Sequence, residues 1–172
     1  MIFSTDRTTR PSLFLLLKIR SILNDMDKTA NYLKVNVDNF YKLKELFPND
    51  FENRFEQFSN RQIDIFAIET DEKFIGRMVV NYSNHLLDTE TIPYKRVCFS
   101  HFILFKDYRN KGYGSKLLEF ALEDLIKNGY SEFTVGVEDK NEIAKHIYFK
   151  YGFNELIDHG NNPCEYDLYL KR

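Results

Sequence analysis

Phe102-Ile103-Leu104-Phe105-Lys106-Asp107-Tyr108-Arg109-Asn110-Lys111-Gly112-Tyr113-Gly114-Ser115 is the stretch on which the reading of the fold turns. Its four leading apolar residues read as the end of a buried strand, and Lys106 to Tyr108 as a short polar turn. Downstream, Leu117, Leu118, Ala121, Leu122, Leu125 and Ile126 fall at i, i+1, i+4, i+5, i+8 and i+9, one wide apolar stripe of an amphipathic helix. Asn128-Gly129 supplies the stop. Two glycines and two cations therefore stand where a strand hands over to a helix N-terminus.

That location suits phosphate. A helix N-terminus presents unpaired backbone N–H groups and partial positive charge. Gly112 and Gly114, lacking Cβ, would let an anion approach the backbone, and Arg109 and Lys111 add full charges. On Gly-x-Gly alone, a helix cap with a solvated basic turn is the simpler reading. The chain has no Gly-x-x-x-x-Gly-Lys-Ser/Thr and no third glycine completing Gly-x-Gly-x-x-Gly here, which argues against a P-loop nucleotide or a dinucleotide.

Arg109-x-x-Gly112-x-Gly114 after an apolar strand resembles the pyrophosphate-binding motif of the GNAT acyltransferase superfamily. A second signature follows: strand-like Glu132 to Val137, then Asn141-x-x-Ala144-x-x-x-Tyr148-x-x-x-Gly152-Phe153. Two linked signatures at the right separation are far more specific than either alone, and they cover residues 97 to 155. Lys106 departs from the pattern, standing where the family often has a proline that stiffens the turn.

The resemblance implies an α+β fold, a single GNAT-like domain with a central mixed, mostly antiparallel sheet flanked by helices. It implies acetyl-CoA as acyl donor and transfer of the acetyl group to a primary amine of a small molecule or polypeptide. Arg109, Asn110, Lys111, Gly112, Tyr113 and Gly114 would then hold the pyrophosphate. Backbone groups at Ile103 and Leu104 would meet the pantetheine arm, with Asn141 contributing to it, and Tyr148 would be the general acid. A non-catalytic acyl-CoA-binding sensor or interaction module is the alternative; retention of Tyr148 favours the enzyme, since a sensor needs no acid.

At 172 residues the chain is one domain's worth, with 43% hydrophobic and 29% charged residues. A net charge of −2 gives no electrostatic case for a nucleic-acid surface. Cys98 lies in an apolar strand far from Cys164 and reads as a small buried hydrophobe, a usage that suits a reducing cytosol. No Cys/His cluster has metal-ligand spacing, so no metal is expected. Arg7 and Arg10 before Leu13 to Leu17 superficially resemble a signal peptide. The apolar run is short, is interrupted by Lys18 and Arg20, and lacks a small-residue cleavage site. Nothing approaches the ~20 apolar residues of a membrane span. A cytoplasmic protein without membrane partners is expected, and the sequence leaves monomer and homodimer open.

In chain order, residues 1–11 read as a flexible or extended leader and 12–172 as the domain. Leu13 to Ile22 reads as a buried first strand, Asn24 to Lys34 as a helix, and Val37 to Leu46 as a second helical region ending before Pro48. Asp50 to Ser59 is a helix with Phe51, Phe55 and Phe58 on one face. Ile63 to Glu69 and Phe74 to Tyr82 form a hairpin, with Gly76 marking a bulge. Ser83 to Pro93 is a loop and Val97 to Phe105 the central strand. After the motif helix come strand 132–138, helix 141–150, strand 153–158, a turn through Pro163, and an alternating strand from Cys164 to Leu170.

Acetyl transfer to an amine also needs a base. His101 on the central strand has the right intrinsic pKa and is the best candidate, with Glu69 second and water a third option. Phe51, Phe55 and Phe58 with Asp50, Glu52 and Glu56 offer aromatics and carboxylates suited to a cationic acceptor, and a solvated amphipathic helix accounts for the same residues equally well.

Overall fold

The structure is a computed structural model that describes residues 30–83, 89–160 and 166–172. Its strands are β1 (Asn31–Lys34), β2 (Ile63–Thr70), β3 (Lys73–Asn81), β4 (Arg96–Leu104), β5 (Glu132–Val137), β6 (Glu155–Asp158) and β7 (Asp167–Lys171). Its helices are α1 (Phe51–Ser59), α2 (Tyr113–Lys127) and α3 (Glu142–Lys150), with 3-10 turns at Phe40–Leu43 and Lys106–Tyr108. The strands form one sheet in the order β1-β2-β3-β4-β5-β7-β6. Every neighbouring pair is antiparallel except β4 and β5. The mixed, mostly antiparallel sheet expected from the sequence is present.

Strand alternation divides the core into two layers. On one face Phe66, Met78, Val80, Val97, Phe99, Phe133 and Val135 pack against Leu117, Leu118, Ala121, Leu122 and Leu125 of α2 and Tyr148 of α3. On the other, Ile63, Ile65, Ala67 and Val79 pack against Phe40, Leu43, Leu46 and Phe47, with Phe51 and Phe58 of α1 beside them. The α2 stripe is therefore buried as its period requires, apart from Ile126, which remains exposed at its end.

Several expectations need correction. The helix placed over Asn24 to Lys34 gives way at Asn31–Lys34 to β1, paired antiparallel with β2 from Asn31↔Glu69 to Lys34↔Phe66. Met26, Lys28 and Ala30 favour a helix locally, but an available sheet edge outweighs propensity. Residues 24–29 and the strand placed at Leu13 to Ile22 lie outside the described residues. The helical region over Val37 to Leu46 contracts to the single 3-10 turn, and the last strand begins at Asp167. The hairpin bulge falls beside Gly76: Ile68 pairs Gly76 and Glu69 pairs Phe74, so Ile75 is the extra residue. The end of β4 is less buried than its apolar run suggests, with Ile103 39% exposed.

Candidate active site

The reason for that exposure is an opening in the sheet. β4 pairs with β5 only from Arg96↔Glu132 to Phe99↔Val135. Beyond Phe99, β4 continues to Leu104 along β3, and β5 continues to Val137 along β7. The two parallel strands thus part, and the facing edges of Ser100–Leu104 and Gly136–Val137 have no strand partner among the described residues. A second bulge makes the divergence: Arg77 pairs Ile103 and Val79 pairs Ser100, leaving an extra residue at 101–102 of β4. His101 takes φ +48 there. Left-handed backbone costs a non-glycine residue about 1–2 kcal/mol. Arg77, buried behind the bulge, donates to the His101 carbonyl and, at 3.0 Å, to the Leu46 carbonyl, with its guanidinium 3.5 Å from the Phe47 ring centroid. That brace holds the bulge open. An unpaired strand edge inside the sheet is a ready partner for an extended, amide-bearing arm.

At the end of β4 the chain makes its 3-10 turn and enters α2. Asn110 has φ +58 and Gly112 φ +83. Gly112 is the N-cap residue and supplies no side-chain acceptor. The first intrahelical bond is Lys116 N to Gly112 O, so the amides of Tyr113, Gly114 and Ser115 precede the helical ladder. A Cβ at Gly112 would meet nothing within 4 Å, so the space before these amides is open. Gly114 is different: a Cβ there would lie 3.3 Å from the Phe102 ring, and its bareness serves packing onto β4. Arg109 Nε donates to the Leu104 carbonyl at 2.9 Å, tying the turn before α2 to the strand end. Lys111 Nζ stands 5.9 Å from the Tyr108 ring centroid.

The second signature places Tyr148 beside the opening. Asn141 caps α3, its Oδ1 accepting from Ala144 N at 3.1 Å. The helix ends with Gly152 at φ +88, where Gly152 N donates to Phe149 O and Phe153 N to Tyr148 O. Those two bonds form a Schellman close, which requires the left-handed residue. They turn the Phe153 ring onto Tyr148 at 5.6 Å and Phe99 at 5.9 Å. Tyr148 is 7% exposed. Burial, and then neighbouring Cys98, push its phenol well above the ordinary tyrosine range.

Cys98 faces the other way, into a cavity of about 700 Å³ on the α1 side of the sheet. By alternation Ser100, Gly136 and Glu138 line the same side. From α1 the cavity receives Arg54 and Gln57, not the phenylalanines. Phe51, Phe55 and Phe58 instead have ring centroids within 5.3 Å of Phe40; Phe51 and Phe58 pack against the core, while Phe55 stays 41% exposed. Glu69 is paired with Lys42 at 2.5 Å and does not line the cavity. A larger hollow of about 1070 Å³, lined by Val35, Tyr82, Tyr94 and Tyr130 among others, contains no residue of either motif.

His101 lines the cavity with its Nε2 already engaged, 2.7 Å from Arg54 Nη2. A guanidinium only donates, so Nε2 is an acceptor and the ring is neutral with its proton on Nδ1. The residue as a whole stays exposed, yet desolvation of the ring, then Arg54 and Arg77, lower its pKa to about 4.

The sequence reading passed over Glu90, in the loop before β4. It is 1% exposed and lines the cavity. Its backbone is fixed by Thr134 Oγ1, which donates to the Glu90 carbonyl at 2.6 Å, and by Arg96 Nη1, which donates to the Thr89 carbonyl at 2.8 Å. Tyr166 OH contacts its Oε1, and Oε2 is buried with no hydrogen-bond partner among the described residues. Burial, followed by the charge of Asp158, raises its pKa to about 7. Nothing local in Asp88-Thr89-Glu90-Thr91 marks this residue; its surroundings come from positions 44 and 76 residues away.

The chain matches the acetyltransferase (GNAT) family over residues 29–153, and it belongs to that family. Solved structures agree on the fold. An acetyltransferase of the GNAT family from Staphylococcus aureus Mu50 is 19% identical with TM-score 0.61, the match covering 83% of this chain and 98% of that one. The PaiA N-acetyltransferase from Thermoplasma acidophilum, crystallised with coenzyme A, is 17% identical with TM-score 0.63, covering 84% and 99%. A ribosomal-protein-alanine N-acetyltransferase from Brucella melitensis is 14% identical with TM-score 0.62, covering 81% and 96%. The chain is thus an acetyl-CoA-dependent acetyltransferase. No helix among the described residues is long and apolar enough to cross a membrane.

Proposed function

We propose that the enzyme moves the acetyl group of acetyl-CoA to a primary amine. The observation that carries this is the gap between β4 and β5, which has the glycine-bounded N-terminus of α2 at one end, a buried phenol on one face and a polar cavity on the other. Arg109, Asn110, Lys111, Gly112, Tyr113 and Gly114 hold the donor's pyrophosphate, through the free amides of α2 and the two cations. The unpaired edge at Ile103 and Leu104 carries the pantetheine arm, with Asn141 at its flank. Tyr148 donates a hydrogen bond to the sulfur as negative charge develops there.

Calorimetry with acetyl-CoA, beside a thiol-release assay over an amine panel, tests the reading. Binding together with amine-dependent thiol release is expected. Binding with no release for any amine would leave acetyl-CoA recognition standing and remove the amine as acceptor.

Arg109→Ala should weaken acetyl-CoA binding. A charge-assisted phosphate contact is worth roughly 1.5–3 kcal/mol, about a tenfold to hundredfold rise in Kd. An unchanged Kd would take Arg109 out of the donor site.

A further inference from the structure

On the reading that the acceptor is a primary amine, we infer that Glu90, held by Tyr166 on the α1 face of the gap, is where the acceptor's ammonium group docks and the base that takes its proton. The carboxyl lines a cavity that opens on the gap from the side opposite Tyr148, so the acceptor and the proton donor to sulfur occupy different faces. Its backbone is pinned by Thr134 and Arg96, and its Oε1 is engaged by the Tyr166 hydroxyl. That leaves Oε2, buried and unpartnered among the described residues, to receive an N–H donor. A buried polar atom left without a partner is costly, and a bound ammonium removes that cost. Tyr166 reaches this position because residue 136 is glycine: a Cβ there would come within 2.5 Å of the tyrosine ring. His101, the alternative base on the same cavity, has its Nε2 occupied by Arg54.

The step balances without any oxidant or reductant. One ammonium proton passes to Glu90 and on to solvent. The freed nitrogen lone pair forms the N–C bond as the C–S bond breaks. The nitrogen sheds a second proton in becoming an amide, and one proton ends on the thiol.

The titratable and charged groups around the cavity are Cys98 and His101 on β4, Glu138 after β5, Arg54 on α1, and Tyr166; burial and then Asp158 on β6 are what raise Glu90. With burial dominant and a pKa of about 7, the carboxylate form should appear as an acid limb near pH 7 in kcat/KM. The stability sign follows from the raised value. The unfolded carboxyl ionises around its ordinary 4.5 while the folded one stays protonated to about 7. Glu90's contribution to stability is therefore greatest below 4.5 and falls as pH rises from there to 7.

The test uses the full chain and a panel of 2-aminoethanol, glucosamine, glycinamide, 1,5-diaminopentane and an N-terminally free tetrapeptide. In Glu90→Gln, kcat/KM for an accepted amine should fall about 100-fold, the lower range of what a positioned base contributes, with acetyl-CoA Kd unchanged. The acid limb should vanish, and the melting temperature should exceed wild type by several degrees at pH 8 but not at pH 4.5. Tyr166→Phe removes a donor to the carboxylate and should move the acid limb upward, a readout that mere packing would leave still. A folded Glu90→Gln variant with near-normal kcat/KM and an intact limb overturns the proposal alone. Wild-type protein that binds acetyl-CoA but acetylates no amine of the panel overturns the amine reading and the proposal together.

Discussion

Tyr148→Phe should lower turnover by about 10²-fold or more, at the low end of what a positioned proton donor contributes. The change keeps the ring, so its edge-on contact with Phe153 and its place in the core beside Phe99 and Val135 should survive. Only the hydroxyl is lost. Burial and Cys98 raise the phenol's pKa, which has two consequences. The hydroxyl stays protonated across the working range and is always a donor. Complete proton transfer to a thiolate, whose thiol has a pKa of about 8.5, is then uphill. The contribution is a hydrogen bond that strengthens as charge builds on sulfur, in surroundings poor in water where such bonds are strong. Acetyl-CoA affinity should change little, because an interaction made chiefly in the transition state appears in kcat. Single-turnover kinetics with an accepted amine, with circular dichroism as the folding control, makes the measurement. Near-normal single-turnover rates in a folded variant would return Tyr148 to the role of a core residue.

The site divides into a part readable from sequence and a part that is not. The strand end, the cradle and α3 are local: their residues are close in the chain, and glycine spacing, caps and helical period mark them directly. The proposed acceptor side is built from distant pieces. Glu90 becomes a buried carboxyl only because Thr134 and Tyr166 meet it, and neither is a sequence neighbour. His101 looked suitable by residue type, but its environment is set by Arg54 and Arg77, from α1 and β3. The phenylalanine face of α1 has the right period for a helix, yet period alone does not say what the face meets; its rings gather around Phe40, with Phe55 left partly exposed. At β1, four residues with mixed propensity took their conformation from pairing with β2. Where partners are nonlocal, composition and spacing are silent.

The same distinction between local geometry and distant packing separates the two glycines of the cradle, and Gly112→Val should expose it. Gly112 has φ +83 and open space where a side chain would point, directly before the uncapped amides of α2. A branched residue there meets two costs. Left-handed backbone is unfavourable by about 1–2 kcal/mol for a residue with a Cβ, and more for one branched at that carbon. The added methyls would also fill the volume an anion needs to reach the amides. Acetyl-CoA affinity should fall by more than about 100-fold, beyond the loss from Arg109→Ala, because several backbone contacts are blocked and not one charge removed. Gly112→Ala should fall between, since it bears the backbone cost with little of the steric one. Gly114→Val should act differently, because its Cβ meets the Phe102 ring at 3.3 Å and so disturbs the seating of α2 on β4. Its melting temperature should drop further for a given loss of affinity. Calorimetry with acetyl-CoA and with pantetheine alone distinguishes the causes: Gly112→Val should abolish the advantage of the pyrophosphate-bearing ligand while leaving the weak binding of pantetheine intact. A folded Gly112→Val protein with wild-type acetyl-CoA affinity would mean that the anion cradle lies elsewhere on the chain.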